Sequence, residues 1–375
     1  MKRLKLVLRY LYNKRTRIIC NSYYKGLLKI NGIRNKPIDG ETKWINKWSV
    51  LGQSNPIYYR LFSHYIGCDD RIVAEDICRS VVEPILNPRR YAKYYGDKNI
   101  FDKLFQPGIL PKTIFRKMGG FYYDAEYNHI NIYDNNILLD TLFTSDCSKI
   151  VIKPTLDSCS GNGVKVFQID NGKWRDLLSG DILTFEYLNT NYDADFIVQE
   201  CLEQADFMSY YCSTSVNTLR LTLYRSIKTD KCYIPSAVIR IGKEGSLVDN
   251  AHAGGSYVGI HVENGVLCNS VLNQFGQSTK MFNAVDFSQE HKIPNWEEIV
   301  DFAKSVGAQI PHHRLLALDI MVDKAGRPRL VEFNSDVYSV WLFQFTMGPA
   351  FGQYTDEIIA YCQDNIDNAE HIIKL

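Results

Sequence analysis

The spacing of apolar residues changes character along the chain. Up to about residue 95 it is helical. "YYRLFSHYIG" and "DRIVAEDICRSVVEPIL" place apolar side chains three and four apart, and the second run is led by Asp69 and Asp70, acids that suit a helix N-terminus. Beyond that point the period becomes that of strands, in "GGFYYDAEYNHINIY", "KIVIKP", "GVKVFQI" and "DADFIVQECL", then in "VNTLRLTLYRS", "YIPSAVIRIG" and "SYVGIHVENGVLC". "WEEIVDFAKSVGAQI" returns to a helical pattern, "RLLALDIMVDKAGRPRLVEFNSD" reads as a hairpin, and "DEIIAYCQDNIDNAEHIIKL" reads as a last helix. The order predicts an α+β protein in three parts: a mostly helical region over 1–95, an α+β lobe over 96–204, and a larger α+β lobe over 205–375.

Two of these stretches carry chemistry. In "VIKPTLDSCSGNGVKVF" a short β-branched run ends in Lys153, a loop of turn formers follows, and a second β-branched run closes a hairpin. Such a loop offers backbone N–H groups with little side-chain bulk, which suits close approach to phosphate oxygens. Its order is not that of a Walker A loop, because the lysine precedes the glycines. Read alone, the stretch is more simply a surface hairpin with a solvated lysine.

The second is the hairpin at 314–336. Asp319 interrupts the apolar run "LLALDIMV", Gly326 supplies the turn position that needs positive φ, and "RLVEFN" returns as the partner strand. Glu332 and Asn334 are two apart and share a face, and Asp319 is expected nearly opposite Glu332. Two carboxylates and an amide oxygen gathered this way suit Mg²⁺. The alternative is a solvated sheet face, but an acid flanked by Leu318 and Ile320 needs a partner to be tolerated.

Composition narrows the classes. With 375 residues, 45% hydrophobic and 23% charged, the chain can bury a large core. Its net charge of +1 gives no general pull toward nucleic acid, and no basic stripe with stacking aromatics runs through the body, so no nucleic-acid partner is expected. Ten cysteines are scattered without a C-x-x-C pair and without a nucleophile signature, which argues against zinc, a disulfide scaffold and covalent catalysis; reduced thiols and a cytoplasmic location are expected. The start, "MKRLKLVLRYLYNKRTRII", is too broken by charge for a signal peptide or a membrane span. Residues 1–36 hold eleven Lys or Arg and no acid, the first being Asp39. Such a segment is either a basic helix packed on its own domain or a peripheral contact with the inner face of an anionic membrane.

Residues 96–336 resemble an ATP-grasp enzyme, through several motifs in order. "GDKNIFDKLFQPGILPKT" resembles the family's opening segment, with Lys98 as the first phosphate lysine. "IVIKPTLDSCSGNGVKVF" resembles the strand and flexible loop of the second, so the resemblance implies that Lys153 neutralises an ATP phosphate and that Ser160, Gly161, Asn162 and Gly163 fold over the triphosphate. "FIVQECLEQ" resembles the adenine hinge: the backbone of Glu200 and Leu202, either side of Cys201, would meet the adenine edge, with Gln199 or Glu203 near adenine or ribose. "ALDIMVDKAGRPRLVEFN" resembles the magnesium hairpin, with Asp319, Glu332 and Asn334 as ligands, shared between two ions.

"SVNTLRLTLYR" and "VDNAHAGGSYVGI" are similar to the sugar-transfer-associated subgroup, found in cell-surface polysaccharide clusters. Arg220, Arg240, Asp249, Asn250, His252, Gly254 and Gly255 would then line the side facing the γ-phosphate and acceptor, with Arg220, Arg240, His252 and Asn250 in the catalytic roles. Read from the residues, Arg220 is otherwise a strand residue pairing with a surface acid, as Arg225 is expected to do, and His252 a loop residue without a role. Gly254 and Gly255 are expected to let a loop close over the centre. One departure stands out: residues 1–95 are helical where many relatives carry a Rossmann-like domain, so acceptor recognition does not carry over.

The resemblance implies two α+β lobes clasping MgATP. A substrate carboxylate would attack the γ-phosphate to give an acyl phosphate, and an amine would displace phosphate. The substrates would be small-molecule or glycan carboxylates and amines, in polysaccharide or glycoconjugate biosynthesis. The rival readings are a phosphotransferase acting on a sugar or lipid-linked glycan hydroxyl, with Asp249 or His252 as base, and a degenerate binder, which the presence of Lys153, Asp319, Glu332 and Asn334 disfavours.

Overall fold

The computed structural model describes residues 2–143, 147–156, 163–192, 195–336 and 338–369. The chain forms two compact units. One comprises Met1–Ala92, Asp206–Met321 and Glu332–Leu375; the other comprises Lys93–Ala205 and Val322–Val331.

The smaller unit holds seven strands among its described residues: β1 (Thr113–Met118), β2 (Phe121–Asp124), β3 (His129–Ile130), β4 (Lys149–Pro154), β5 (Lys165–Asp170), β6 (Lys173–Asp176) and β7 (Phe196–Glu200). Their order is β3-β2-β1-β7-β4-β5-β6, antiparallel throughout. β7 therefore lies between β1 and β4 although it comes last, and its Phe196–Val198 are fully buried. The alternation of the hairpin is kept: Ile150 and Ile152 of β4 and Phe167 of β5 enter a core with Phe115, Trp174, Leu188 and Phe196.

The larger unit holds most of an eight-stranded sheet. It contains β8 (Thr218–Arg225), β9 (Cys232–Tyr233), β10 (Ala237–Ile241), β11 (Ser256–Ile260), β12 (Val271–Leu272) and β13 (Ser278–Thr279). A separate two-stranded ribbon, β14 (Met281–Phe282) and β15 (Val285–Asp286), comes before β16 (Leu315–Val322) and β17 (Pro328–Asn334). The order is β13-β12-β11-β10-β8-β16-β17, with β9 on β8. β16 is buried along its whole length, which explains its unbroken apolar run and makes its one acid conspicuous. Helix Trp296–Ala308 packs on this unit where its period placed it.

The helical head shares this unit's core. Tyr24, Trp44, Trp48 and Phe62 pack in one cluster with Tyr224, Tyr257, Tyr338, Phe343 and Ile358. Its second helical run differs from expectation. Helix begins at Glu75, not at Asp69, and passes through a π-helical stretch at Cys78–Val82. Asp69 instead takes the N–H and guanidinium of Arg71, and Asp70 takes Lys43 and Lys47, so both acids stabilise a turn. The acids at the helix start are Glu75 and Asp76. The last helix, Thr355–Asp364, is also shorter than its pattern and gives way to a single 3₁₀ turn at Ile366–Asn368.

Candidate functional site

In the larger unit, three neighbouring strands and the loop before β11 bring four charged side chains together. Arg220 of β8 stands directly opposite Asp319 of β16. Its Nε–H donates to Oδ1 at 2.7 Å and its Nη2–H to Oδ2 at 2.6 Å, a bidentate fork. Arg240 of β10 pairs with Thr218, two residues along β8 and on the face of Arg220. Arg240 reaches Asp319 Oδ2 at 3.3 Å and Asp249 Oδ1 at 2.8 Å, while the Thr218 hydroxyl donates to Asp249 Oδ2. The result is a chain of alternating charge, Asp249–Arg240–Asp319–Arg220. Arg225, in contrast, pairs with a surface acid, exposed Asp230, at 2.6 Å.

Burial shapes the electrostatics. Desolvation alone would raise the Asp319 carboxyl; the Arg220 and Arg240 guanidiniums together outweigh it and hold the group below the usual carboxylate range. Asp249 goes the other way: burial pushes it up, and Arg240 offsets that only in part. Burial opposes the charge on Arg220, but Asp319 overcomes this and raises its pKa, with a smaller contribution from Glu332. Glu332 therefore lies near enough to Arg220 for its charge to be felt.

Glu332 and Asn334 sit two apart on β17, beside β16. The turn before them is built as its residues dictate. Gly326 has φ 80°, its N–H donates to the Asp323 carbonyl, and the Asp323 side chain takes the N–H groups of Ala325 and Arg327. Asn334 has a buried amide nitrogen without a hydrogen-bond partner among the described residues, so the fold alone leaves this side chain underused. Among the described residues no three His, Cys, Asp or Glu side chains gather closely enough to hold a metal by themselves. The donor set is two carboxylates and one amide, all hard oxygens, and it fits Mg²⁺ that keeps water and phosphate as its other ligands. Asp319 would then be shared between the ion and Arg220.

The segment after Asn334 is gripped by a residue that sequence reading missed. Buried Asn87 donates to the carbonyls of Leu315, at the start of β16, and Ser335, just past β17, at 2.6 and 2.7 Å. Its Oδ1 accepts from the N–H groups of Arg314 and Leu315, both at 3.0 Å. Arg89 pairs with Asp336, and Glu83 accepts from the Tyr338 N–H at 2.7 Å. The only sequence signal was an Asn-Pro dipeptide closing a helix, which marks a turn and says nothing of its distant partners.

Asn250 caps the turn Ala251–Ala253, accepting from the His252 N–H at 2.9 Å, and the His252 ring meets Gln274. Of the glycine pair after it, Gly254 takes positive φ and Gly255 sits tight against backbone. Gly255 donates to the Asn250 carbonyl, and a Cβ there would lie 2.6 Å from the Asp249 carbonyl oxygen. This tight turn holds Asp249 and Asn250.

The smaller unit gathers the other set. Lys153 lies near the end of β4, opposite Ile197 of β7. The Lys98 N–H donates to the Thr155 carbonyl at 3.2 Å, so the fold brings the two lysine segments together across 55 residues of sequence. Ser160, Gly161 and Asn162 lie outside the described residues; Gly163 follows them, exposed, with φ 75°.

At the end of β7 the ladder is altered. The Glu200 N–H donates to the Lys112 carbonyl at 2.9 Å, but the Lys112 N–H turns to Glu200 Oε1 at 2.8 Å. The ladder bond from Lys112 to the Glu200 carbonyl is therefore not made, and that acceptor is released. Cys201 donates its N–H to the Lys149 carbonyl, and burial raises its thiol pKa. Leu202 follows outside the strand, with no hydrogen bond from its N–H among the described residues. A released carbonyl and an N–H two residues apart match what an adenine edge requires. Gln199 is buried and bonds the Pro111 carbonyl and Thr113, and Glu203 pairs with Lys324 at 3.0 Å.

Three comparisons bear on this arrangement. The family model described as sugar-transfer associated ATP-grasp matches residues 79–358. Comparison with curated protein sequences gives no match. Solved structures that resemble the chain include D-cycloserine synthetase DcsG, at 12% identity and TM-score 0.40, covering 75% of this chain and 73% of that one. The ATP-grasp ligase PsnB, complexed with a phosphomimetic variant of its minimal precursor, Mg and ADP, is similar at 13% identity and TM-score 0.39, covering 74% and 61%. The D-alanine-D-alanine ligase from Coxiella burnetii is similar at 9% identity and TM-score 0.38, covering 75% and 61%. This chain spans less than two thirds of the latter two. With the family model extending over most of its length, the chain, an α+β protein of the ATP-grasp fold, belongs to the sugar-transfer associated ATP-grasp family.

Proposed function

We propose that the protein is an ATP-dependent, ADP-forming ligase that activates a carboxylate as acyl phosphate and joins it to an amine. The observation that carries this reading is the half-buried network of Asp319, Arg220, Arg240 and Asp249, with Glu332 and Asn334 on the strand next to Asp319. It sets two guanidiniums, held in place by acids, next to hard oxygen donors on one sheet. That arrangement suits a reaction whose intermediates are oxyanions and which needs no protein nucleophile.

Lys98 and Lys153 would hold the ATP phosphates, and the end of β7 its adenine. Asp319, Glu332 and Asn334 would hold magnesium, which when bound offsets charge on the phosphates. The substrate carboxylate oxygen forms a bond to the γ-phosphorus as the bond to the bridging oxygen breaks, and ADP leaves with that electron pair. The amine then attacks the acyl carbon, phosphate departs, and the amine loses a proton. Arg220 and Arg240, held by Asp319 and Asp249, would stabilise the oxyanions through their charge and their remaining N–H groups. The family's description as sugar-transfer associated supports a role in polysaccharide or glycoconjugate assembly, with uronic acids and amino acids or amines as substrates. Phosphoryl transfer to a hydroxyl would call for a base; Asp249 spends its carboxylate on Arg240 and Thr218, which counts against it there.

Hydroxylamine trapping tests the reading. The protein is incubated with MgATP, hydroxylamine and a panel of uronic acids and amino acids. Release of ADP with a hydroxamate supports it. ADP with a phosphorylated sugar and no hydroxamate overturns it in favour of the phosphotransferase.

A further inference from the structure

Among the described side chains of the long helix Lys2–Ile30, the buried ones lie in its C-terminal part, and Arg17 pairs with Asp76. Cys20, Tyr24, Leu27 and Leu28 are buried against the core of the larger unit, and they lie on one side of the helix. The side turned away from them carries aliphatic side chains among basic ones. Val7, Leu11 and Ile18, spaced four and seven apart and so on one line, are 53%, 53% and 61% exposed. Ile18 and buried Cys20 are about 200° apart around the axis. From Val7 to Ile18 the line runs ~17 Å at the helical rise.

The same line continues through Lys14 and Lys25, and Arg15 flanks it. All three are exposed and have no ion-pair partner among the described residues. The wider segment has eleven basic residues and no acid before Asp39. A soluble surface gains nothing from three aligned aliphatic side chains in water, and their basic surroundings say what should cover them. A second copy of this helix would bring like charge against like charge. An anionic bilayer offers phosphates for the cations and an acyl boundary for the aliphatic groups. Among the described residues no helix is long and apolar enough to cross a membrane, so the contact would be one of lying on the surface.

We propose that this face of the N-terminal helix docks the protein on anionic membrane, with Val7, Leu11 and Ile18 seated below the headgroups and Lys14, Arg15 and Lys25 among them. The face is independent of the ligase reading, since none of these residues belongs to the sites described above.

The test is co-sedimentation of the full chain with vesicles of phosphatidylcholine alone and vesicles that also contain phosphatidylglycerol. The expected result is binding to the second kind only, weakened by salt. Lys14→Gln with Arg15→Gln should lower the partition coefficient about 25-fold, at about fivefold per cation. Leu11→Asp with Ile18→Asp should abolish binding, with the melting temperature of both variants unchanged because the positions are exposed. No binding to anionic vesicles overturns the proposal. So does binding that answers to the charge variants but not to the aspartate pair, which would be plain electrostatic adsorption. Concentration-dependent self-association without lipid, lost in the aspartate pair, would show that a second copy covers the face and would overturn it as well.

Discussion

Arg220 and Asp319 stand opposite one another on β8 and β16, and the guanidinium grips both carboxylate oxygens at 2.7 and 2.6 Å. The pair ties the candidate magnesium carboxylate to the candidate oxyanion arginine, so neither can be altered without disturbing the other.

Asp319→Asn should therefore do two things. Turnover should fall by orders of magnitude, and stability to denaturant should fall by about 3 kcal/mol because half-buried Arg220 loses the counter-charge of buried Asp319. Arg220→Met combined with Asp319→Leu should restore most of the stability and none of the activity. If the double variant stayed as unstable as the single one, the pair would not be the source of the loss.

Glu200 makes a sharper prediction. Its side chain draws the Lys112 N–H away from its own carbonyl. Glu200→Ala should let Lys112 close the ladder and occupy the acceptor proposed for adenine. ATP affinity measured by calorimetry should drop about tenfold, the worth of one hydrogen bond, with no loss of melting temperature. Glu200→Gln keeps the Oε1 acceptor and should bind ATP like the parent. Equal affinity in all three would remove this carbonyl from the site.

Lys153→Ala should weaken MgATP binding by about 10- to 100-fold, the range of a charge-assisted hydrogen bond. Unchanged affinity by calorimetry would take the lysine out of the phosphate site.

The head imposes a pH dependence on stability. Burial raises Glu83 to about 7, with the neighbouring Asp336 charge adding to it, and burial raises Asp76 to about 6. Both carboxyls hold their protons more tightly folded than unfolded. Their stabilising contribution is complete below the ordinary carboxyl range and is lost as pH rises through 6 and 7. Glu83→Gln keeps an acceptor for the Tyr338 N–H and removes one titration. It should flatten the fall in stability between pH 5 and 7 and leave the variant the more stable one at pH 8. A parallel pH profile in urea melts of parent and variant would contradict this.

Much of the architecture was legible in the sequence because it is written locally. The β-branched runs around Lys153, the alternation that pairs Glu332 with Asn334, the glycine at 326 and the period of 296–308 each depend on neighbours a few residues away. Those elements stand where the pattern puts them. The motif order also sufficed for the family. Where local pattern misled, as at Asp69 and Asp70, basic side chains claimed acids that a helix start would otherwise have used.

Tertiary structure decided everything that joins distant residues. Arg220 meets Asp319 across 99 positions, and Asn87 bridges Leu315 and Ser335 across more than 220, because strand order and not sequence spacing sets which side chains face each other. Periodicity tells a residue which side of its own strand it occupies. Only the packed sheet tells it which charge lies opposite, and in a buried setting that partner determines whether the charge can exist there at all.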